Sequence, residues 1–264
     1  MENGNKTPEI VNIGIVERLN KSERDSQVAI AKQYPREIST FKKKATEMAT
    51  FDEATAAECF YSVPRSGTRI EGPSVRLAEI VVSAWGNIRA QARVVDIDET
   101  HITAEGVAWD LETNSAISMS VQRRITDKNG KRYSADMITV TGAAACAIAF
   151  RNAIFKIVPR VYVRPVYEAA RRVAVGDAST LGQRRAQWIT AAGKFGVGPD
   201  QICAALGRGE IEDLTLDDLS DIAGRLTAIK EGETTAETAF AALATETEDA
   251  PKEGRRPFGK KAKA

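Results

Sequence analysis

Residues 136–158, DMITVTGAAACAIAFRNAIFKIV, form the stretch that decides the fold. Apolar residues occupy almost every side of the helix that this stretch would form, which is typical of a helix buried in a protein core. Pro159 ends the helix, and the small side chains from Gly142 to Ala145 would let a second element approach its backbone closely. The stretch therefore predicts a long buried helix that lies on a second layer of structure.

The segments before this helix have a different period of apolar residues. Residues 88–97, 101–111 and 116–126 are rich in β-branched residues, alternate partially between apolar and polar positions, and are divided by short polar turns. Asn129-Gly130 is a strong turn signal, so a short fourth strand from Lys131 is also expected. The predicted fold class is α+β, an antiparallel three- to four-stranded β-meander packed on a long buried helix, with N-terminal helices and a small C-terminal helical domain.

Helices are predicted on both sides of this unit. Their composition and capping residues place them at residues 22–32, 36–49, 53–60, 74–85, 160–176, 183–195, 199–206 and 216–230, with a loop at 61–72. The predicted organisation is a flexible N-terminus (1–21), a core (22–176), a small acidic helical domain (177–243) and a disordered basic tail (244–264).

Charge is segregated along the chain, although the formal net charge is only +1. Residues 115–172 carry 11 basic and 3 acidic residues, a net charge of +8, whereas residues 173–250 carry 6 and 14, a net charge of −8. Such a basic block is the electrostatic footprint of a polyanion partner, and nucleic acid is the first candidate. The alternative is that these charges form solvated faces neutralised by acids elsewhere in the fold.

Several classes of protein are disfavoured by what the sequence lacks. It contains neither a phosphate-binding GxxxxGK[ST] loop nor a GxGxxG motif after a strand, which argues against ATP hydrolysis. His101 is the single histidine, and Cys59, Cys146 and Cys203 have no paired spacing, so a catalytic triad, a zinc site and a disulfide framework are not expected. The longest apolar run, residues 143–150, is too short to span a membrane, and residues 1–9 do not form a secretory signal.

Binding of single-stranded nucleic acid requires a basic groove for the phosphates and flat side chains for the bases. Tyr133, beside the predicted hairpin, is the best stacking candidate. Phe150 and Phe155 lie in a largely apolar helix and are assigned to the core, and the other aromatic residues of the basic block are Tyr162 and Tyr167.

Two segments resemble the single-strand annealing proteins of bacteriophages, the broad group that contains RecT, lambda Beta and the eukaryotic annealing recombinases. One is Ala149-Phe150-Arg151-Asn152-Ala153-Ile154 running into Val158-Pro159, and the other is residues 71–79, EGPSVRLAE. The resemblance covers about residues 28–175.

This resemblance implies a non-enzymatic protein that coats single-stranded DNA, forms rings or filaments of identical subunits, and pairs complementary strands without ATP or another cofactor. Magnesium could modulate its DNA binding. The resemblance implies phosphate contacts from a β-hairpin and from the core helices, here Arg123, Arg124, Lys128, Lys131, Arg132, Arg151, Asn152, Lys156, Arg160 and Arg164.

Residues 177–243 resemble the modules of such proteins that recruit a phage exonuclease or the host single-strand binding protein. Because residues 1–9 do not form a secretory signal, the expected location is the cytoplasm of the bacterial host. The net charge of the acidic domain suggests docking on the basic groove when DNA is absent, so deletion of residues 177–264 is expected to tighten DNA binding.

Two other functions remain open. A metal-dependent nuclease of the same pathway would need carboxylates that converge on magnesium, and the candidates lie near strand ends at Asp96, Asp98, Glu105, Asp110 and Glu112. A phage interaction or structural protein would use the basic face to contact another protein. Magnesium-dependent degradation of DNA would favour the first, and absent or salt-insensitive DNA binding the second.

Overall fold

The computed structural model describes residues 13–65 and 68–242, which form α-helices and two antiparallel sheets. The helices are α1 (Ile13–Gln33), α2 (Ile38–Ala49), α3 (Glu53–Ala57), α4 (Val75–Trp85), α5 (Ala135–Ile157), α6 (Arg160–Val175), α7 (Leu181–Gly193), α8 (Pro199–Leu206), α9 (Leu216–Lys230) and α10 (Ala236–Ala239). The strands are β1 (Phe60–Arg65), β2 (Thr68–Pro73), β3 (Ile88–Ile97), β4 (His101–Asp110) and β5 (Ser115–Arg124). The α+β class is confirmed.

The ends of the chain differ from the prediction in one respect. Helix α1 begins at Ile13 rather than at Ser22, so part of the segment predicted to be flexible is helical. Residues 1–12 and the predicted basic tail at 244–264 lie outside the described residues.

The larger sheet is the predicted meander, in the order β3-β4-β5. Strand β4 is central, and its Gly106 lies opposite Ala92 of β3 and Met119 of β5. Its residues alternate between buried and half-buried positions along the whole strand, as expected when only one face of the sheet is covered. The covered face is the one that packs on helix α5.

The fourth strand predicted from Lys131 does not form, and an isolated bridge between Thr126 and Arg132 takes its place. The Asp127 carboxylate accepts hydrogen bonds from the backbone N–H groups of Asn129 and Lys131, which closes a tight turn. Soon afterwards the Ser134 side chain caps the first turn of α5, so too few residues remain for a strand.

The backbone of helix α5 lies very close to the backbone of the larger sheet. A β-carbon added to Gly106 would lie 2.2 Å from the carbonyl oxygen of Ala149, so the backbone of β4 meets the backbone of α5. Gly142, within the small-residue run noted in the sequence, faces the side chain of Ile102. The close approach expected of this helix is therefore present.

The outer side of α5 is not fully covered. Met137 and Val140 are about half exposed, whereas Ala145, Ala149 and Ala153 on the sheet side are buried. Within the described residues α5 is also the one helix with the length and hydropathy of a membrane span, a property that core helices share. Its contact with the sheet is that of a core helix.

The segment predicted as a loop at residues 61–72 is instead a β-hairpin formed by β1 and β2. Pro64 and Gly72, which were interpreted as loop residues, lie within its strands at positions opposite Arg69 and Tyr61. A two-stranded sheet tolerates proline because each strand is an edge and can leave one N–H position unpaired. The hairpin leads through Ser74, which caps the predicted helix α4.

Helix α9 is buried along most of its length, which is unusual for a helix with so many polar residues. It packs against β1 on one side and α7 on another, and a β-carbon added to its Gly224 would lie 2.8 Å from Ser62. Its Asp221 accepts a hydrogen bond from Ser62 and pairs with Arg225 at 2.7 Å. The predicted division at 176/177 stays a prediction, but α9 connects the hydrophobic clusters on its two sides.

Replacement of Gly106 by alanine tests the contact between β4 and α5. The added methyl group has no space, so we expect the free energy of unfolding to fall by at least about 2 kcal/mol. The matched control is Gly182→Ala in α7, where no heavy atom lies within 4 Å of the added β-carbon. That variant should be unchanged or stabilised by up to about 1 kcal/mol. Urea denaturation followed by circular dichroism measures both, and equal stabilities would contradict the packing described.

Candidate nucleic-acid interface

Exposed cations mark the junction between α5 and α6. Lys156 lies in the last turn of α5, and Arg160 and Arg164 lie one turn apart at the start of α6, beyond the bend at Pro159. Lys156 and Arg160 form no ion pair within residues 13–65 and 68–242. Arg164 pairs with Glu168 at 3.1 Å, and both side chains are more than half exposed. Such exposed pairs contribute little stability and are readily exchanged for another anion.

A cleft of about 420 Å³ opens beside these arginines, between the β1–β2 hairpin and the two helices. Its lining is Tyr61, Glu71, Gly72, Pro73, Phe155, Arg160, Val163, Arg164, Tyr167 and Glu168. The volume falls within the range of about 300 to 1,000 Å³ that is usual for small-molecule pockets. The cleft therefore has room for a planar group the size of a nucleobase.

Three half-buried aromatic rings form the walls of this cleft: Tyr61, Phe155 and Tyr167. The Arg151 guanidinium lies over the Tyr61 ring, 4.2 Å from its centroid, and Phe60 packs edge-on against Tyr167. Burial raises the pKa of both tyrosines, so their phenol groups stay neutral and can donate hydrogen bonds. Aromatic faces beside arginines are what stacking of single-stranded bases requires.

The sequence identified these aromatic residues only in part. Tyr133 is half buried, and its backbone is held by a hydrogen bond to Ile125, away from the cleft. Phe155, which was assigned to the core, packs on the core with one side and lines the cleft with the other. Tyr61 was missed because its segment was interpreted as a loop; the strand-favouring residues Phe60, Tyr61 and Val63 were the available signal.

A second group of exposed cations, Arg124, Lys128, Lys131 and Arg132, lies at the end of β5 and in the turn that follows. Arg132 donates a hydrogen bond to the carbonyl of Asp98 at 2.6 Å. Because this turn leads directly into the start of α5, it is about 30 Å from Lys156 at the other end of the helix. The exposed cations among the predicted phosphate contacts therefore divide into two separate clusters.

Arg123 and Arg124 project from opposite faces of the sheet, as successive residues of a strand must. Arg124 is exposed on the open face. Arg123 is on the α5 side and donates hydrogen bonds to the carbonyl oxygens of Gly232 and Glu233, at 3.0 and 3.3 Å. These two residues belong to the turn that follows α9.

Arg151 is buried, with 6% of its surface exposed, and forms an ion pair with the carboxylate of Glu233. Asn152, its neighbour in α5, is half buried. Arg151 and Lys156 have different surroundings, because residues five apart in a helix lie about 140° apart around its axis. Of the predicted phosphate contacts, Arg123 and Arg151 are thus occupied by the acidic C-terminal segment.

Glu231 lies in the same turn and has an unusual environment. Both of its carboxylate oxygens are buried without a hydrogen-bond partner of ordinary geometry. Burial, together with the nearby Glu233 carboxylate, raises the pKa of Glu231 to about 7, and the charges of Arg151 and Arg76 and the N–H of Val75 lower it only partly. This side chain is therefore a carboxyl group that holds its proton near neutral pH.

Most of the carboxylates considered for a metal site have other partners. Asp110 pairs with Arg36 and accepts a hydrogen bond from Trp85, and Glu112 pairs with Arg36 at 3.0 Å. Asp98 accepts hydrogen bonds from the backbone of the β3–β4 turn. Among the described residues, no group of three or more histidine, cysteine or carboxylate side chains could hold a metal ion.

Comparisons of the chain with protein-family models, with curated proteins and with solved structures found no match. The arrangement of the cleft and its two cation clusters is thus the basis for a functional interpretation.

The pKa of Glu231 predicts how stability depends on pH. This pKa is about 7 in the folded protein and 4.5 when unperturbed, so between these values the folded state binds more protons than the unfolded state. The free energy of unfolding should therefore decrease as the pH rises from about 5 to about 8, by at most about 3 kcal/mol.

The variant Glu231→Gln should lose this pH dependence, whereas Glu237→Gln, which removes an exposed carboxylate nearby, should keep it. Urea denaturation at a series of pH values measures the slopes. Identical slopes for the wild type and Glu231→Gln would contradict the assignment.

Proposed function

We propose that this protein binds single-stranded DNA in the cleft between the β1–β2 hairpin and the α5–α6 junction, and that it anneals complementary strands without ATP. The observation that carries the proposal is the placement of three half-buried aromatic rings beside exposed arginines in one open cleft. Stacking on such rings tolerates every base, and arginine contacts with phosphates carry no sequence information. A protein that pairs any two complementary strands needs this independence of sequence.

The two segments that resemble phage annealing proteins meet at this cleft. Glu71, Gly72 and Pro73, from the segment 71–79, line one wall, and Phe155, just after Ile154, lines the other. Both segments thus contribute residues to the surface that is proposed to bind DNA. The resemblance supports annealing as the outcome of binding.

The cluster at the end of β5 extends the proposal to longer strands. Its four cations are about 30 Å from Lys156, so one short oligonucleotide cannot reach both clusters. We assign the first contact with a DNA strand to the cleft. The β5 cluster would contact a later part of the same strand, or the strand held by an adjacent subunit.

The remaining parts of the proposal concern partners and location. The protein would act as a ring or filament of identical subunits in the cytoplasm of the bacterial host. Magnesium would modulate DNA binding without taking part in a reaction. Residues 177–243 would contact a phage exonuclease or the host single-strand binding protein through the exposed faces of α7 and α8.

Annealing of two complementary oligonucleotides, one carrying a fluorophore and the other a quencher, tests the function. We expect the protein to accelerate annealing without ATP, and the effect to weaken as salt increases. Intact oligonucleotides that neither bind nor anneal faster would overturn the proposal. Shortened oligonucleotides in the presence of magnesium would instead favour a nuclease.

Neutralisation of Lys156 and Arg160 tests the position of the site. The double variant Lys156→Gln/Arg160→Gln should weaken binding of single-stranded DNA. It should also reduce the slope of log affinity against log salt by about 1.4, because each of the two phosphate contacts releases about 0.7 counterions when it forms. Lys43→Gln/Lys44→Gln removes the same charge from exposed positions of α2 and is the matched control. Equal effects of the two double variants would place the site elsewhere.

The β5 cluster is tested in the same way with Lys128→Gln/Lys131→Gln. We expect this variant to bind a short oligonucleotide normally and to lose affinity only for a strand long enough to reach from the cleft to the β5 turn. Fluorescence anisotropy with labelled oligodeoxythymidine of several lengths measures the difference. A loss of affinity that is independent of length would contradict the division into two contacts.

A further inference from the structure

We infer that Arg123 and Arg151 form a binding site for a phosphodiester group, and that the turn at residues 231–233 occupies this site until a DNA strand displaces it. The inference rests on the proposed function, because it assigns a regulatory contact to the same DNA-binding surface. It identifies which residues of the acidic C-terminal segment compete with DNA.

The turn presents to these arginines the kind of acceptors that a phosphodiester would present. The carboxylate of Glu233 pairs with Arg151, and the carbonyl oxygens of Gly232 and Glu233 accept hydrogen bonds from Arg123. A phosphodiester offers one negative charge spread over two oxygens, and arginine binds such a pair of oxygens with two N–H groups. One phosphate could therefore accept hydrogen bonds that the two arginines now donate to the turn.

The site adjoins the cleft through a single side chain. Arg151 lies over the ring of Tyr61, and Tyr61 also forms part of the cleft wall. A strand whose base enters the cleft would bring its phosphate to the far side of this tyrosine. The two sites are thus placed to bind adjacent parts of one nucleotide chain.

The turn is joined to the end of α9 by backbone hydrogen bonds, but it also buries a carboxyl group in an unfavourable environment. Both carboxylate oxygens of Glu231 are buried without a hydrogen-bond partner of ordinary geometry, and a second carboxylate, that of Glu233, lies nearby. Burial of polar atoms without partners opposes folding, so release of the turn would return Glu231 to water. Gly232, with a φ of +70°, ends α9 in the left-handed conformation that favours glycine.

The movement is confined to the turn, because both of its ends are anchored. Helix α9 is buried up to Ala228, and Phe240 is buried beside the guanidinium of Arg225. Displacement of residues 231–235 would break their backbone hydrogen bonds to the end of α9 but would leave the buried part of the helix in place. The contact is local, unlike the docking of the whole acidic segment that its net charge suggested.

The alternative is that Glu233 and Arg151 form only a structural ion pair. Removal of one partner from a buried pair usually destabilises a protein. A structural pair would make no difference to DNA affinity in the folded protein, whereas a competing carboxylate would lower it. Affinity and stability therefore distinguish the two interpretations.

The test compares Glu233→Gln with Glu237→Gln in the full-length protein, with fluorescein-labelled oligodeoxythymidine as the probe at low salt. Both variants remove one negative charge from the same segment, but Glu237 is exposed on α10. We expect Glu233→Gln to bind roughly tenfold more tightly than the wild type, and Glu237→Gln to differ by less than about twofold. Circular dichroism confirms that both variants are folded.

The outcomes separate this inference from the proposed function. If the wild type binds and Glu233→Gln binds no more tightly than Glu237→Gln, the turn does not compete and only the inference is overturned. If Glu233→Gln binds where the wild type does not, the inference is supported. If none of the three proteins binds, the proposed function fails and the inference with it.

A second measurement uses the wild type and does not depend on the folding of a variant. Hydrogen exchange of the backbone amides at residues 231–235 should increase when oligodeoxythymidine is added, because the turn leaves its contacts. Exchange in the buried part of α9 should stay unchanged. Greater protection of the turn on DNA binding would overturn the inference.

Discussion

The contact between β4 and α5 is the constraint on which the rest of the structure depends. Gly106 has no side chain, and the space that a β-carbon would need is filled by the backbone of Ala149. Because the two layers touch through their main chains, the register of β4 and the rotation of α5 are fixed together. Arg151 lies about 200° around the helix from Ala149, so the same contact directs it away from the sheet. The position of every functional group on α5 follows from this one close approach.

The fold brings together part of the positive and negative charge that is segregated along the sequence. Part of the basic block is used within the fold: Arg123 and Arg151 contact the turn after α9, and Arg171 donates hydrogen bonds to Ser220. Arg151 pairs with Glu233 and Arg171 pairs with Glu71, so for these two arginines the interpretation as internally neutralised charge agrees with the structure. Lys156 and Arg160 have no such partner in the described part of the chain, and they are the residues beside the aromatic cleft. The fold thus separates structural cations from those available to a ligand.

Much of the fold could be predicted because it depends on local patterns. Four such signals act over short stretches: the alternation in the meander strands, the apolar composition of α5, the proline after α5 and the capping box at Thr215. The corresponding elements formed as expected. The β1–β2 hairpin could not be predicted in this way, because its strands contain proline and glycine and are stabilised by contact with α9, far away in sequence. The candidate site could likewise be predicted only in part from the sequence. Arg160 and Arg164 are in the cleft, whereas the role of Tyr61 and the partner of Arg151 depend on contacts that no local pattern encodes.

The burial of α9 has a consequence for how such a protein can change in evolution. Its Asp221 contacts Ser62, its Thr227 donates a hydrogen bond to the carbonyl of Ala57, and its Gly224 leaves room for β1. A C-terminal segment obtained from another gene would have to match these three contacts at once. Replacement of the C-terminal segment as a unit, which is simple for domains joined by a linker, would here expose the hairpin that forms one wall of the cleft. Sequence changes are therefore expected to accumulate on the exposed faces of α7 and α8, while α9 and β1 change together.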